Sequence, residues 1–500
     1  MSTDNAASTG KASIRRLCTG VPGLDEILGG GLPEYSFNLL AGPPGSGKTT
    51  LAHQMMFTLA TPEAPALYFT VLGEPSVKML RYQQQFGFFD SGKVGRAVHF
   101  VNLSDDAATG DLNRVLARIA AEVEARAPAL VFVDSFRSVV LAGESSVTQL
   151  ITLQQFVQQL GMLMTSWQAT TFLIGEYFSD TDPSPVFTVA DGLLWLRQSV
   201  ERNSVVRKLE VMKMRGQATQ PGLHTFRIDE RGVTVFARMQ VEGPTRHTDE
   251  ATADRVGMGI PGLDELMGGG LPRGYSLLIA GPSGSGKSIL ASAFLLEGAD
   301  RGENGVIAAF EQRPDRARGP RIAELIEADR IGVVEAGSLT LSVDEIGVLL
   351  MAEIRRLKAT RVVIDSLSGF ELALAPTFRA DYRETLARMV TALASSGVSV
   401  LMTSELEDRY DELRFSPYGT AFLTDAIIVQ RYVEVEGRLQ RIMAVVKVRG
   451  SAHSKELRLF DIDDDGIQLG PMLADYEGLL GGRPTRRWPP YGDPKPGDET

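Results

Sequence analysis

Short apolar runs alternate with amphipathic stretches along the chain, and the series is run through twice. Ala66 to Val71, Val98 to Asn102, Leu130 to Asp134 and Thr171 to Gly175 are nearly continuous apolar runs, the pattern of strands buried on both faces. Between them, Ser76 to Phe86 and Asp111 to Ala125 repeat apolar residues at helical spacing. The second half answers with Gly305 to Phe310, Ile331 to Glu335, Arg361 to Asp365 and Val398 to Thr403. The alternation predicts an α/β fold: in each half a mostly parallel sheet flanked by helices, with ligands bound beyond the carboxyl ends of the strands.

Two apolar runs, Phe37 to Ala41 and Leu277 to Ala280, each lead into a glycine-rich loop and then a helix-like run, Thr50 to Leu59 and Ile289 to Ala299. The loops, Gly42-Pro43-Pro44-Gly45-Ser46-Gly47-Lys48-Thr49 and Gly281-Pro282-Ser283-Gly284-Ser285-Gly286-Lys287-Ser288, both match the phosphate-loop pattern G-x-x-x-x-G-K-[ST]. Glycines let successive backbone N–H groups turn inward around a phosphate, and the following helix directs the positive end of its dipole at the same anion. The expected nucleotide contacts are Gly42, Gly45, Ser46, Gly47, Lys48, Thr49 and Thr50, and Gly281, Gly284, Ser285, Gly286, Lys287, Ser288 and Ile289. Lys48 and Lys287 would reach the β and γ phosphates of ATP, and the hydroxyls of Thr49 and Ser288 would hold Mg²⁺.

The spacing of 239 residues from Gly42 to Gly281 also relates Gly20-Val21-Pro22-Gly23-Leu24-Asp25 to Gly259-Ile260-Pro261-Gly262-Leu263-Asp264. Gly29-Gly30-Gly31-Leu32-Pro33 and Gly268-Gly269-Gly270-Leu271-Pro272 keep that register, so the repeated unit is a domain. Val241 to Arg255 is charged and lacks apolar periodicity, as suits a linker. The expected organisation is a disordered start over 1–11, a first domain over 12–240, a linker over 241–255, a second domain over 256–486 and a flexible tail over 487–500.

Two strand predictions end on a carboxylate, Asp134 and Asp365, the position of a Walker B aspartate on the Mg²⁺ side of the site. Further on, Lys213-Met214-Arg215-Gly216 matches Lys447-Val448-Arg449-Gly450 at a spacing of 234 residues. Lys213 with Arg215, and Lys447 with Arg449, stand two apart and so on one strand face. Two readings are open: basic residues on an edge hairpin, or a pair reaching a neighbouring subunit's γ phosphate, which needs an oligomer.

The net charge of −11 argues against a general grip on nucleic acid or an anionic membrane. Cys18 is the one cysteine, which excludes an intrachain disulfide and suits a reducing cytoplasm. No run reaches the roughly 18 apolar residues of a membrane span.

Tandem G-[VI]-P-G-L-D, G-G-G-L-P, phosphate loop, strand-terminal aspartate and K-x-R-G, in order over Gly20 to Arg486, resemble the KaiC family of RecA-like ATPases. The resemblance implies two tandem RecA-like P-loop NTPase domains in a two-tiered homohexamer, with ATP held between neighbouring subunits. It also implies slow ATP hydrolysis, and serine/threonine autophosphorylation in the second domain of the clock members. The family places a glutamate pair after the strand that follows the phosphate-loop helix, where a carboxylate polarises the attacking nucleophile. The second copy keeps one of the two, in Phe310-Glu311-Gln312. The first copy has Leu72-Gly73 there, and its nearest carboxylate is Glu74, before Pro75. The positions of the clock members' phosphosites carry Ala421 and Phe422, which accept no phosphate; Ser416, Thr420 and Thr424 are the hydroxyls nearby. The Pro-rich tail beyond Arg486 is shorter than the clock members' extension.

The leading expectation is therefore a nucleotide-driven signalling ATPase with room for an autokinase function and an output partner the sequence does not name. The alternatives are a RecA-like motor on DNA, which the charge disfavours, and a scaffold in which ATP only joins subunits.

Overall fold

A mostly apolar phosphate-loop strand belongs at the centre of a sheet covered on both sides, and Phe37–Gly42 and Ser276–Gly281 lie there, buried along their whole length. The computed structural model describes residues 14–71, 76–108, 111–135, 147–179, 185–201, 204–240, 254–310, 319–335, 342–374, 379, 382–406, 423–479 and 484–486. The expected disordered start, most of the linker, and the tail lie outside these residues. The chain divides between Arg238 and Met239 into two compact units.

Among the described residues each unit forms one nine-stranded sheet with the same order. In the first unit it runs Val98–Asn102, Ala66–Thr70, Leu130–Asp134, Thr170–Glu176, Phe37–Gly42 and Gly192–Glu201, all parallel. Three antiparallel strands continue the sheet, Ser204–Met214, Leu223–Asp229 and Gly232–Phe236. The second unit runs Ile331–Glu335, Gly305–Ala309, Arg361–Asp365, Ser399–Glu405, Ser276–Gly281 and Ala426–Val435, then Arg438–Val448, Arg458–Asp463 and Gly466–Met472. The α/β class expected from the apolar runs and the tandem RecA-like architecture implied by the resemblance are both present.

Helices cover both faces. The phosphate-loop helix Lys48–Leu59 packs Leu51, Met55 and Phe57 against one face, with Leu40, Phe132 and Ile174. Leu112–Arg126 and Val147–Ser166 cover the other, where Ile119 and Leu160 meet Leu39, Val131 and Leu173. Asp111 caps the helix expected over Asp111 to Ala125, accepting from Asn113 N. In the second unit Ser342 and Glu345 form a reciprocal capping box that starts Val343–Leu357.

A buried cation distinguishes the second sheet. Arg361 opens the strand at the position Leu130 holds in the first unit, with a side chain only 1% exposed. Its Nε donates to Glu303 Oε2 at 2.6 Å, its Nη1 donates to the carbonyls of Gly257 and Phe294, and its guanidinium lies 4.6 Å from the Phe294 ring centre. Glu303 also accepts from Arg273 Nη2 at 2.7 Å. Burial pushes the Glu303 carboxyl up, but the bonds from Arg361 and Arg273 outweigh it and hold the carboxyl below its ordinary range. A carboxyl so depressed adds stability at neutral pH that is lost as pH falls below its unfolded value through its folded one.

Glu303→Ala leaves Arg361 buried without its carboxylate and is expected to destabilise the second unit by about 3 kcal/mol. Hydrogen exchange of the Arg361–Asp365 amides should show the loss there, with the Leu130–Asp134 amides unchanged.

Candidate nucleotide sites

Each phosphate loop joins the central strand to a helix whose first turn is left open. Gly47 precedes Lys48–Leu59 with φ 104°, and Gly286 precedes Lys287–Asp300 with φ 98°; neither helix has a side-chain cap or an acidic residue in its first turn. Orphan N–H groups at an uncapped helix start suit an anion. A Cβ on Gly47 would come within 2.7 Å of Ile228 Cδ1, and one on Gly286 equally close to Ile462 Cδ1, so the loop backbone lies against the antiparallel strands in both units.

The loop lysines turn back over their own loops. Lys48 Nζ donates to the carbonyls of Gly42 and Pro43 at 2.9 and 2.8 Å; Lys287 Nζ does the same to Gly281 and Pro282 at 2.9 and 2.7 Å. Burial pushes the Lys48 ammonium down from its ordinary range, and the carboxylates of Glu176 and Asp134 pull against that shift. Ser46 Oγ is buried without a hydrogen-bond partner, whereas Ser285 Oγ donates to Gln430 Oε1 at 3.0 Å.

Thr49 and Asp134, 85 residues apart in sequence, meet here: Thr49 Oγ1 donates to Asp134 Oδ2 at 2.9 Å. Tyr68 Oη donates to the same oxygen at 2.6 Å. Burial raises the Asp134 carboxyl, while those two bonds and the Lys48 charge oppose it. Beside this group opens a cleft of about 420 Å³ lined by Gly45, Gly47, Lys48, Thr49, Thr50, Thr70, Met79, Asp134, Ser135, Glu176, Arg207 and Ile228. A cradle of backbone donors, a lysine, and a hydroxyl bonded to a carboxylate form a donor set that fits a nucleotide's phosphates with Mg²⁺. In the second unit Asp365 ends the matching strand and accepts a hydrogen bond from Thr403 Oγ1. Ser288 and Ile289 are exposed on the first turn of their helix, where a ligand can reach them.

The basic pairs lie elsewhere. Lys213 Nζ donates to the carbonyls of Phe187 and Thr188, and Arg215 to Asp191 Oδ1 and Thr188 O. Lys447 likewise donates to Thr424 O, and Arg449 to Asp425 Oδ1. Lys213 and Arg215 share a side, as their spacing predicts, and neither lines the cleft of its own unit. Burial, then the neighbouring arginine, lowers both lysines, with Asp191 and Asp425 opposing.

Glu74 and Glu311 lie outside the described residues, as do Leu72, Gly73, Gln312, Ser416, Thr420, Ala421 and Phe422. The strand ends that lead to the two glutamates are described. Val71 N donates to Asp134 O at 2.8 Å and Phe310 N to Asp365 O at 3.2 Å, and the Phe310 ring stacks on Phe370 at 4.5 Å. Thr424 is fully buried. Sequence reasoning missed Glu176, Arg207 and Tyr68. Glu176 had a signal: it follows the run Thr171 to Gly175, and Glu405 ends the matching strand, each paired in register with the first loop glycine. Arg207 and Tyr68 stand in runs where only the folded register shows what they face.

A family model described as "ATPase: KaiC" matches residues 17–240 and 256–474. The chain is 27% identical to the circadian clock oscillator protein KaiC 1 of Synechocystis sp., over 96% of this chain and 94% of that protein. It is 28% identical to the circadian clock oscillator protein KaiC of Picosynechococcus sp., over 97% and 95%, and 26% identical to that of Synechococcus elongatus, over 95% and 92%.

Gly47→Ala places a methyl group against Ile228 at a backbone conformation that side chains avoid. The expected cost is about 1–3 kcal/mol, read as an earlier unfolding of the first unit by Trp195 fluorescence. Gly95→Ala, at φ 78° with nothing near its added methyl, should cost less by the difference due to the clash.

Proposed function

The chain belongs to the KaiC family of ATPases, and from that premise we propose that it binds ATP with Mg²⁺ in both domains, hydrolyses it, and works as a homohexameric signalling module of the cytoplasm. The observation that carries this reading is the doubled cradle: two uncapped loop-to-helix junctions, each with its lysine bonded to two loop carbonyls. An anion of higher charge would draw Lys48 and Lys287 off those neutral carbonyls and onto its β and γ oxygens, with the loop N–H groups closing around it. Thr49 with Asp134, and Ser288 with Asp365, would hold Mg²⁺, which would supply positive charge against the negative charge of the phosphates.

In the second domain Glu311 is proposed as the carboxylate that orients and deprotonates the nucleophile. It follows Phe310, which the Asp365 carbonyl and the Phe370 ring hold at the strand end. Water as nucleophile gives hydrolysis; a serine or threonine hydroxyl gives autophosphorylation, for which this reading excludes Ala421 and Phe422 and disfavours the buried Thr424. In the first domain Glu74 is the corresponding candidate, and its placement before Pro75 in a site without the family's glutamate pair makes that domain the slower. Lys213 with Arg215 and Lys447 with Arg449 are proposed to face the neighbouring subunit's nucleotide. The position of the first pair outside its own cleft supports that arrangement, since a group serving a site in trans has no place in its own. Among the described residues no helix is long and apolar enough to cross a membrane.

Incubation with γ-labelled ATP and Mg²⁺, following free phosphate and protein-bound label together, tests the proposal. Glu311→Gln should lower second-domain turnover by about 100-fold or more with nucleotide binding retained; unchanged turnover contradicts the assignment. Label on the protein that is lost in Lys287→Ala but kept in Lys48→Ala would establish an autokinase in the second domain. Free phosphate without label would leave an ATPase alone.

A further inference from the structure

The two aspartates at the heart of the sites are held by different residues, from opposite sides. Asp134 ends a strand that runs between Ala66–Thr70 and Thr170–Glu176. On the Ala66–Thr70 side Tyr68 reaches two residues along its strand and donates to Asp134 Oδ2 at 2.6 Å. Its ring is fully buried and fixed among His53, Phe100 and Phe132, at centroid distances of 4.6, 5.5 and 6.0 Å. On the other side the register partner of Asp134 is Ile174, whose hydrocarbon side chain donates nothing.

The second unit reverses this. The residue in the place of Tyr68, third in the matching five-residue strand, is Ile307. The residue in the place of Ile174, fifth in the matching seven-residue strand, is Thr403, fully buried, and its hydroxyl donates to Asp365 Oδ1. Each copy thus combines one buried hydroxyl donor and one isoleucine across its aspartate, with the sides exchanged.

We propose that Tyr68 and Thr403 are equivalent positioning residues, each fixing the rotamer of its domain's aspartate so that the carboxylate meets the loop hydroxyl and the nucleotide's Mg²⁺. The inference rests on the reading of Thr49 with Asp134, and Ser288 with Asp365, as the metal side of the sites. A carboxylate partly withdrawn from water needs a donor. A donor placed on a carboxylate oxygen also sets the direction in which the remaining lone pairs point, which is how outer residues control metal affinity. Tyr68 Oη and Thr49 Oγ1 meet on one oxygen of Asp134, so a change in the Tyr68 bond is felt where the loop hydroxyl docks. The Tyr68 ring packs in the core while its buried hydroxyl donates to this carboxylate.

The test uses the full-length chain carrying Lys287→Ala, so that only the first-domain loop takes nucleotide, and measures retention of a fluorescent non-hydrolysable ATP analogue as Mg²⁺ is titrated. Tyr68→Phe should raise the Mg²⁺ half-saturation point about tenfold or more, with retention in EDTA unchanged. Adding Ile174→Thr to Tyr68→Phe, which supplies the hydroxyl from the side the second domain uses, should bring the half-saturation point back to within about threefold of the starting chain. In the mirror experiment, Thr403→Val in a Lys48→Ala chain should shift the second-domain titration in the same direction. An unshifted titration in either domain, a weakening that is equal with and without Mg²⁺, or no recovery on adding Ile174→Thr overturns the proposal. Failure of the Lys287→Ala chain to take up the analogue at any Mg²⁺ concentration would instead contradict the phosphate-loop reading of the first domain.

Discussion

An ammonium group bonded to two carbonyls of its own loop is the interaction on which both sites depend. Lys48 on Gly42 and Pro43, and Lys287 on Gly281 and Pro282, hold a positive charge over the loop backbone. Loop and helix start are shaped by that need: glycine at positive φ where the chain must turn, no capping side chain and no carboxylate in the first turn. Elsewhere in the same chain helix starts are closed conventionally, by Asp111 and by Ser342 with Glu345. At the two junctions that face the sites the starts are open instead, and their lack of caps is offset by the buried sheet beneath them.

Duplication preserved the frame and let its supports drift. Strand order, the lysine bonds and the fit of the loop glycine against the Ile228 and Ile462 side chains are the same in both units. What differs lies one layer out. Arg361 with Glu303 secures the second sheet where Leu130 suffices in the first, Gln430 engages Ser285 where Ser46 has no partner, and Tyr68 and Thr403 approach their aspartates from opposite sides. The glutamate pair kept in part at Glu311 and replaced by Leu72-Gly73 in the first copy continues that drift into the catalytic groups themselves.

Much of this was legible in the sequence because strands buried on both faces leave a one-dimensional signature. Leu130 to Asp134 and Arg361 to Asp365 could be bounded to the residue. Strands half open to solvent were not so readable: Ser204–Met214 and Leu223–Asp229 mix charge with apolar residues, and only a hairpin was evident where four strands extend the sheet. The phosphate loops were legible because their chemistry is local, with all the donors within eight residues. Glu176, Arg207 and Tyr68 were not, because each acts across strands, and a strand's register is set by the folded sheet. A buried tyrosine in an apolar run looks like core until its hydroxyl is seen 2.6 Å from a carboxylate.

The central claim is that both loops are nucleotide sites within one chain. Counting bound nucleotide answers it most directly: purified full-length protein equilibrated with excess ATP analogue and Mg²⁺, freed of unbound ligand, and assayed for nucleotide per chain. Two per chain is the result predicted. One per chain would contradict the equivalence of the two cradles, and none would contradict the account of both.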